Sequence, residues 1–137
     1  MSTTEIRKNI VISTPIETVW PYISTAEGIG AWFMPNNMEP LEGKEFTLQA
    51  GPWGESLCKV TEVQSPNRLS FDWGKDWQIH FELKEVDGKT ELIFIHAGWM
   101  DGKKTEFGET HEVVRPRMSE GWEGLLEKLK TRVESTS

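Results

Sequence analysis

The sequence predicts an α+β fold in which a curved antiparallel sheet is covered by one long C-terminal helix. Three observations carry that expectation. Between Lys44 and Ala97, apolar residues recur at every second position in one segment after another, which is the period of a half-buried strand. Near the C-terminus, Met118, Trp122, Leu125, Leu126, Leu129 and Val133 recur at helical spacing instead. The chain has 137 residues, enough for one core, so the apolar face of the sheet and the stripe of the helix are expected to cover each other.

The elements follow in order. Ile6, Ile10 and Ile12 stand at even spacing and mark a first strand over 5–13. Thr14, Pro15 and Glu17 suit the N-cap, first and third positions of a helix, a capping box with proline at N1, predicting a short helix over 15–23. Pro21 and the glycines of "EGIG" limit its length. A second helical turn around 25–33 carries Trp32 and Phe33. Residues 34–43 form a Pro/Asn/Gly-rich loop. Strands are predicted at 44–50, 56–64, 67–74, 77–86 and 89–97, with a tight turn at "SPN", 65–67, and a two-residue hairpin at Asp87-Gly88. Leu69, Phe71 and Trp73 share one face of their strand. Trp77, Ile79, Phe81 and Leu83 share one face of the next, with Gln78, His80, Glu82 and Lys84 opposite.

The strand 89–97 is apolar on both faces near its middle. Leu92, Phe94 and His96 point one way and Ile93 and Ile95 the other. Cover on both sides explains this, and so does a dimer contact through Ile93 and Ile95, so a monomer or weak homodimer is expected. Residues 98–113, with Gly98, Gly102 and Gly108, read as a long loop of the lid or binding type. Arg115-Pro116 is expected to open the last helix, with Glu120 and Glu123 early and Lys128, Lys130 and Arg132 late, complementing its dipole. No internal repeat or linker interrupts the chain, which reads as one domain over 1–137.

Composition narrows the function classes. Acidic residues number 22 against 15 basic, a net charge of −7, which disfavours nucleic acid and anionic membrane surfaces as partners. No apolar run approaches the length of a membrane span. The opening "MSTTEIRK" is followed by no signal-peptide core. A lone cysteine, Cys58, allows no internal disulfide. A cytoplasmic location is the expectation.

Catalytic motifs are absent. "HEVVR" at 111–115 lacks the second histidine of a zinc-protease helix, "GESLC" at 54–58 does not fit a nucleophile elbow, and "GIGAWF" lacks the third glycine of a dinucleotide loop. No catalytic residue, metal site or cofactor is assigned. His80 has solvent-facing parity and Cys58 reads as a small buried residue. His96 should face the helix, either as a satisfied core histidine or as the polar anchor of a ligand.

The unusual feature is seven tryptophans beside one tyrosine. Each tryptophan can bury roughly 150–250 Å². Ordinary packing accounts for many of them, and an aromatic-lined cavity is the alternative. The candidate ligand-binding set is Trp32, Phe33, Met34, Trp53, Phe71, Trp73, Trp77, Phe81, Phe94, His96, Trp99, Trp122 and Leu126.

Several motifs carry a resemblance: "STPIETVW" at 13–20, "AWF" at 31–33, "LEGKEF" at 41–46, "VQSPNRLSFDW" at 63–73, "DGKTELIFIHAGW" at 87–99 and "SEGWEGLLEKLK" at 119–130. In this order the chain resembles the START-like (SRPBCC, helix-grip) superfamily, and within it the activator of heat-shock protein 90 ATPase homologue 1-like family. The resemblance implies a six- or seven-stranded antiparallel sheet curled around the C-terminal helix, with a hydrophobic cavity between them and Trp122 in its wall. Gly121, at the edge of the helix's apolar stripe, is then expected to permit close approach and leave room beside Trp122; Gly124, nearly opposite, has no such explanation. Functions in the superfamily include lipid or polyketide binding, ring cyclisation and chaperone assistance. The leading expectation is a non-catalytic binder of a hydrophobic or aromatic small molecule, such as a lipid, polyketide or flavonoid-like compound. Activation of a chaperone ATPase is the alternative, although the separate N-terminal domain of the eukaryotic activators has no counterpart here. A cyclase- or dehydratase-type enzyme is a third reading, with only His96 to nominate.

Overall fold

The computed structural model describes residues 5–49, 55–74, 77–99, 103–104 and 109–135. A first strand, β1 (Ile6–Ile12), is followed by three short helices, α1 (Ile16–Val19), α2 (Pro21–Ser24) and α3 (Ala26–Gly30). Strands β2 (Glu45–Gln49), β3 (Glu55–Gln64), β4 (Arg68–Trp73), β5 (Trp77–Val86) and β6 (Lys89–Ala97) come next, and α4 (His111–Ser135) ends the fold. The six strands make one curved sheet in the order β1-β6-β5-β4-β3-β2. All neighbours are antiparallel. None of the described helices is long and apolar enough to cross a membrane.

Alternation along the strands decides which face is buried. On β5, Trp77, Ile79, Phe81 and Leu83 are buried, and on β6, Leu92, Phe94 and His96. Register then pairs Ile79 with His96, Phe81 with Phe94 and Leu83 with Leu92. The β5–β6 hairpin closes through Asp87 (φ 55°) and Gly88 (φ 78°), with Val86 opposite Lys89. Two consecutive positive φ angles give the turn a twist that matches the strands, and an Asp-Gly pair tolerates them. At the β3–β4 turn the Asn67 N–H donates to the Gln64 carbonyl at 2.7 Å. Against the inner face, α4 buries Trp122, Leu126, Leu129 and Val133. The helix approaches the sheet most closely along β1.

On the outer face, Ile93 and Ile95 are half-buried. Asn9 and Glu82 flank Ile93, and Arg7 and His80 flank Ile95. His80 does face away from α4 but is half-buried rather than simply solvated, and its Nδ1 lies 2.8 Å from the Ser70 hydroxyl.

Three local expectations are corrected. The expected helix 15–23 is two separate turns that meet at Trp20, with Pro21 opening the second. The capping box does not form: Pro15 occupies the N-cap position without a side-chain bond, and the Thr14 hydroxyl is buried with no partner among the described residues. The Glu85 carboxylate of β5 does that work instead, accepting from the Ile16 N–H at 2.8 Å. By contrast α3 is capped locally, Thr25 Oγ1 accepting from the Gly28 N–H at 2.9 Å. Gly28 also sits where α2 and α3 touch, and a Cβ there would overlap the Pro21 carbonyl.

The second correction concerns α4, which begins at His111 rather than at Arg115-Pro116 and carries Pro116 inside it. A proline there forfeits one intrahelical bond. The extra turn is held by its anchors: the Thr110 carbonyl accepts from the N–H groups of Val113 and Val114, both at 3.1 Å, the His111 N–H donates to the Lys103 carbonyl at 2.8 Å, and the His111 side chain is buried. Much of the expected 98–113 loop is therefore helix or lies outside the described residues.

Gly121 is the third. A Cβ at Gly121 or at Gly124 would meet nothing within 4 Å, so neither glycine marks a close approach of the helix to the sheet.

Candidate functional site

The site is a cluster of rings between the inner face of β4–β6 and the N-terminal half of α4. His96 lies at its centre, fully buried. Strand parity turns it inward, and Trp122, on the buried stripe of α4, meets it: the indole Nε1–H donates to His96 Nδ1 at 3.0 Å. Indole nitrogen is only a donor, so Nδ1 must be the acceptor and Nε2 carries the imidazole proton. Trp99 Nε1–H donates to the His96 backbone carbonyl at 3.0 Å, and the Trp99 ring centroid is 4.7 Å from the imidazole. Trp77 meets the imidazole edge-to-face at 4.9 Å, and Trp73 lies at 5.8 Å.

The cluster extends away from His96. Trp122 contacts Phe94 at 4.3 Å and Phe33 at 5.0 Å between centroids. Phe33 stacks on Trp32 at 5.6 Å, and Trp32 reaches Phe81 at 6.2 Å. Trp32, Phe33, Trp73, Trp77, Phe81, Phe94, His96, Trp99 and Trp122 thus form one connected group. Phe71 packs instead on Phe46, at 5.2 Å, toward the β2 end of the sheet. Met34 is half-buried against the core and Leu126 is buried on α4. Trp53 lies outside the described residues. A groove of about 350 Å³ runs between β1 and α4, lined by Lys8, Asn9, Ile10, Glu123, Leu126 and Glu127. Lys8 and Glu123 face each other there at 3.5 Å.

Sequence reasoning missed His111, whose ring lies 5.5 Å from Trp99 and 6.0 Å from Trp77. Testing "HEVVR" only as a failed zinc motif hid it; no strand parity was available to turn it inward. Phe46 was also missed, although Phe46 and Leu48 alternate on their strand.

Electrostatics make His96 a hydrogen-bonding group rather than a proton carrier. Burial, and then the nearby His111 and Arg115, push its pKa down from 6.5 to about 3. The ring is neutral at physiological pH. Its basic nitrogen is already occupied by Trp122, which leaves no lone pair for general-base work. Two buried donors, His96 Nε2–H and Trp77 Nε1–H, have no partner among the described residues. No group of three His, Cys, Asp or Glu side chains among them could hold a metal ion.

A sheet curled on a long C-terminal helix, with short helices after the first strand, defines the START-like, helix-grip class. The family model described as "Activator of Hsp90 ATPase homolog 1-like protein" matches residues 13–134, and the chain belongs to that family. The chain is 39% identical to BH1534 of Bacillus halodurans, covering 97% of this chain and 99% of that one, with a TM-score of 0.88. It is 19% identical to Aha1 of Colwellia psychrerythraea, solved as a dimer, over 96% of this chain and 97% of that one, with a TM-score of 0.78. DynU16, described as a protein of the dynemicin biosynthetic locus, is 17% identical over 98% of this chain and 49% of its own, also with a TM-score of 0.78. The last two show likeness of fold alone. No curated protein matches the chain.

Proposed function

We propose that this protein is a single START-like domain that binds a hydrophobic or aromatic small molecule between its sheet and α4. The observation that carries the reading is the cluster of aromatic rings between the layers. The helix lies closest to β1, and large rings, Trp73, Trp77, Phe94 and Trp122, occupy the space on the β4–β6 side. Aromatic side chains with a few polar groups are the usual lining of small-molecule sites. The similarity of fold to DynU16, a protein of a biosynthetic locus, supports the same reading. Binding would not require catalysis, and His96 supplies a polar anchor.

Titration of tryptophan fluorescence with lipids, flavonoids and polyketide-like compounds tests it, because several indoles sit at the proposed site. Mass spectrometry of molecules that copurify with the protein is the unbiased companion. A flat fluorescence response across the panel, with nothing copurifying, would end the proposal.

A second reading, stimulation of a chaperone ATPase, is favoured by the description of the family and by the Aha1 relative. Chaperone ATPase turnover measured with and without the protein separates the two. A ligand that binds while turnover stays unchanged supports the first.

A further inference from the structure

We propose that the ligand carries a neutral carbonyl oxygen, an aryl ketone rather than a pure hydrocarbon, and that the His96 Nε2–H and Trp77 Nε1–H groups bind it. The inference rests on the reading of the aromatic cluster as a binding site and deepens it.

Neither donor has a partner among the described residues, and both are buried. Leaving a buried donor unpaired costs most of its desolvation penalty, so such groups almost always have a partner in the occupied state. Both belong to the same contact, since the two rings meet edge-to-face with centroids 4.9 Å apart. The proposal is that one bound molecule serves both.

The identity of His96's free proton follows from geometry. Trp122 donates to Nδ1, so the remaining nitrogen can only be a donor. The site therefore offers N–H groups and asks for an acceptor. A carbonyl oxygen has two lone pairs, and being neutral it can come among apolar rings without the cost of burying a charge. The indoles of Trp77 and Trp99, in contact at 4.9 Å, offer faces against which a fused aromatic ring can pack. A buried water would also accept these bonds, and the experiment separates it from a ketone.

The probes are 1-tetralone and tetralin, which share a fused carbon skeleton and differ in the carbonyl. The intact protein is titrated with each, by tryptophan fluorescence and by ¹⁵N-detected shifts of indole and imidazole N–H groups. The expected result is that tetralone binds about tenfold or more tightly than tetralin, the difference made by pairing a buried donor. It should also move the Trp77 Nε1–H and His96 Nε2–H resonances, which tetralin leaves in place. In Trp77→Phe the tetralone-to-tetralin ratio should fall toward one. Equal affinities in the unaltered protein, or a ratio unchanged by Trp77→Phe, would overturn the carbonyl assignment while leaving the hydrophobic site standing. If neither compound binds at millimolar concentration, the carbonyl assignment falls, and the binding proposal itself is decided by the wider ligand panel and by the copurification experiment. The unaltered protein's ratio does not depend on the variant's folding.

Discussion

His96 is buried as a neutral imidazole, and that makes the fold sensitive to acid in a defined window. The folded pKa is about 3 against 6.5 when exposed. Above pH 6.5 both states hold the neutral ring and no dependence arises. Between 6.5 and 3 the unfolded chain takes up a proton that the folded chain refuses, so stability falls as pH falls through this interval. Each unit is worth about 1.4 kcal/mol, so lowering the pH to 5 should cost about 2 kcal/mol through this residue alone. The variant His96→Gln keeps an acceptor for Trp122 and cannot titrate. Urea denaturation of both proteins at pH 7, 6 and 5 should show the stability difference between them shrinking by about 2 kcal/mol toward acid. Carboxylates elsewhere titrate in both proteins and cancel in that difference. A difference that stays constant from pH 7 to 5, or an imidazole Cε1–H resonance of His96 that titrates near pH 6, would refute the assignment of a buried, proton-refusing ring.

The remaining predictions concern the backbone. Gly121→Ala and Gly124→Ala place a methyl group in open space on a helix, so each should stabilise by about 0.5–1 kcal/mol, read as a rise of a few degrees in Tm for the pair. Gly28→Ala drives a Cβ into the Pro21 carbonyl and should cost about 2 kcal/mol or more, because backbone rather than a flexible side chain must yield; circular-dichroism melts check it. Glu85→Ala removes the acceptor of the Ile16 N–H and should cost about 1 kcal/mol, the usual worth of a helix cap, whereas Glu17→Ala should cost much less in the same denaturation assay.

The sheet was legible in the sequence because its determinants are local. Strand parity needs only neighbouring residues, and Asp87-Gly88 carries its turn geometry in two side chains. Expectation and structure agree on β5 and β6 to the residue. Helix ends were less legible because their partners are distant. Thr14, Pro15 and Glu17 spell a capping box, yet the N–H they were expected to serve belongs to Glu85, sixty-nine residues away. Pro116 spells a helix start, yet buried His111 and the Thr110 carbonyl hold one further turn in front of it. Gly121 suggested close packing, and only the placement of the helix shows that its outer side is open.

The ring cluster lies between these cases. Parity turns Trp73, Trp77, Phe81, Phe94 and His96 inward one strand at a time, and helical spacing places Trp122 on the buried stripe. Neither reveals that the imidazole and the indole meet, because that depends on how the sheet curls against α4. Once they meet, a histidine at this position has a specific consequence that leucine would not have. Its Nδ1 is satisfied by Trp122, which offsets part of the cost of burying a polar ring, while its Nε2–H and the neighbouring Trp77 N–H are left facing no protein acceptor among the described residues. A purely structural core would gain by replacing both donors with hydrocarbon. Retaining them at the centre of an otherwise apolar interlayer makes physical sense when something other than the protein supplies the acceptor.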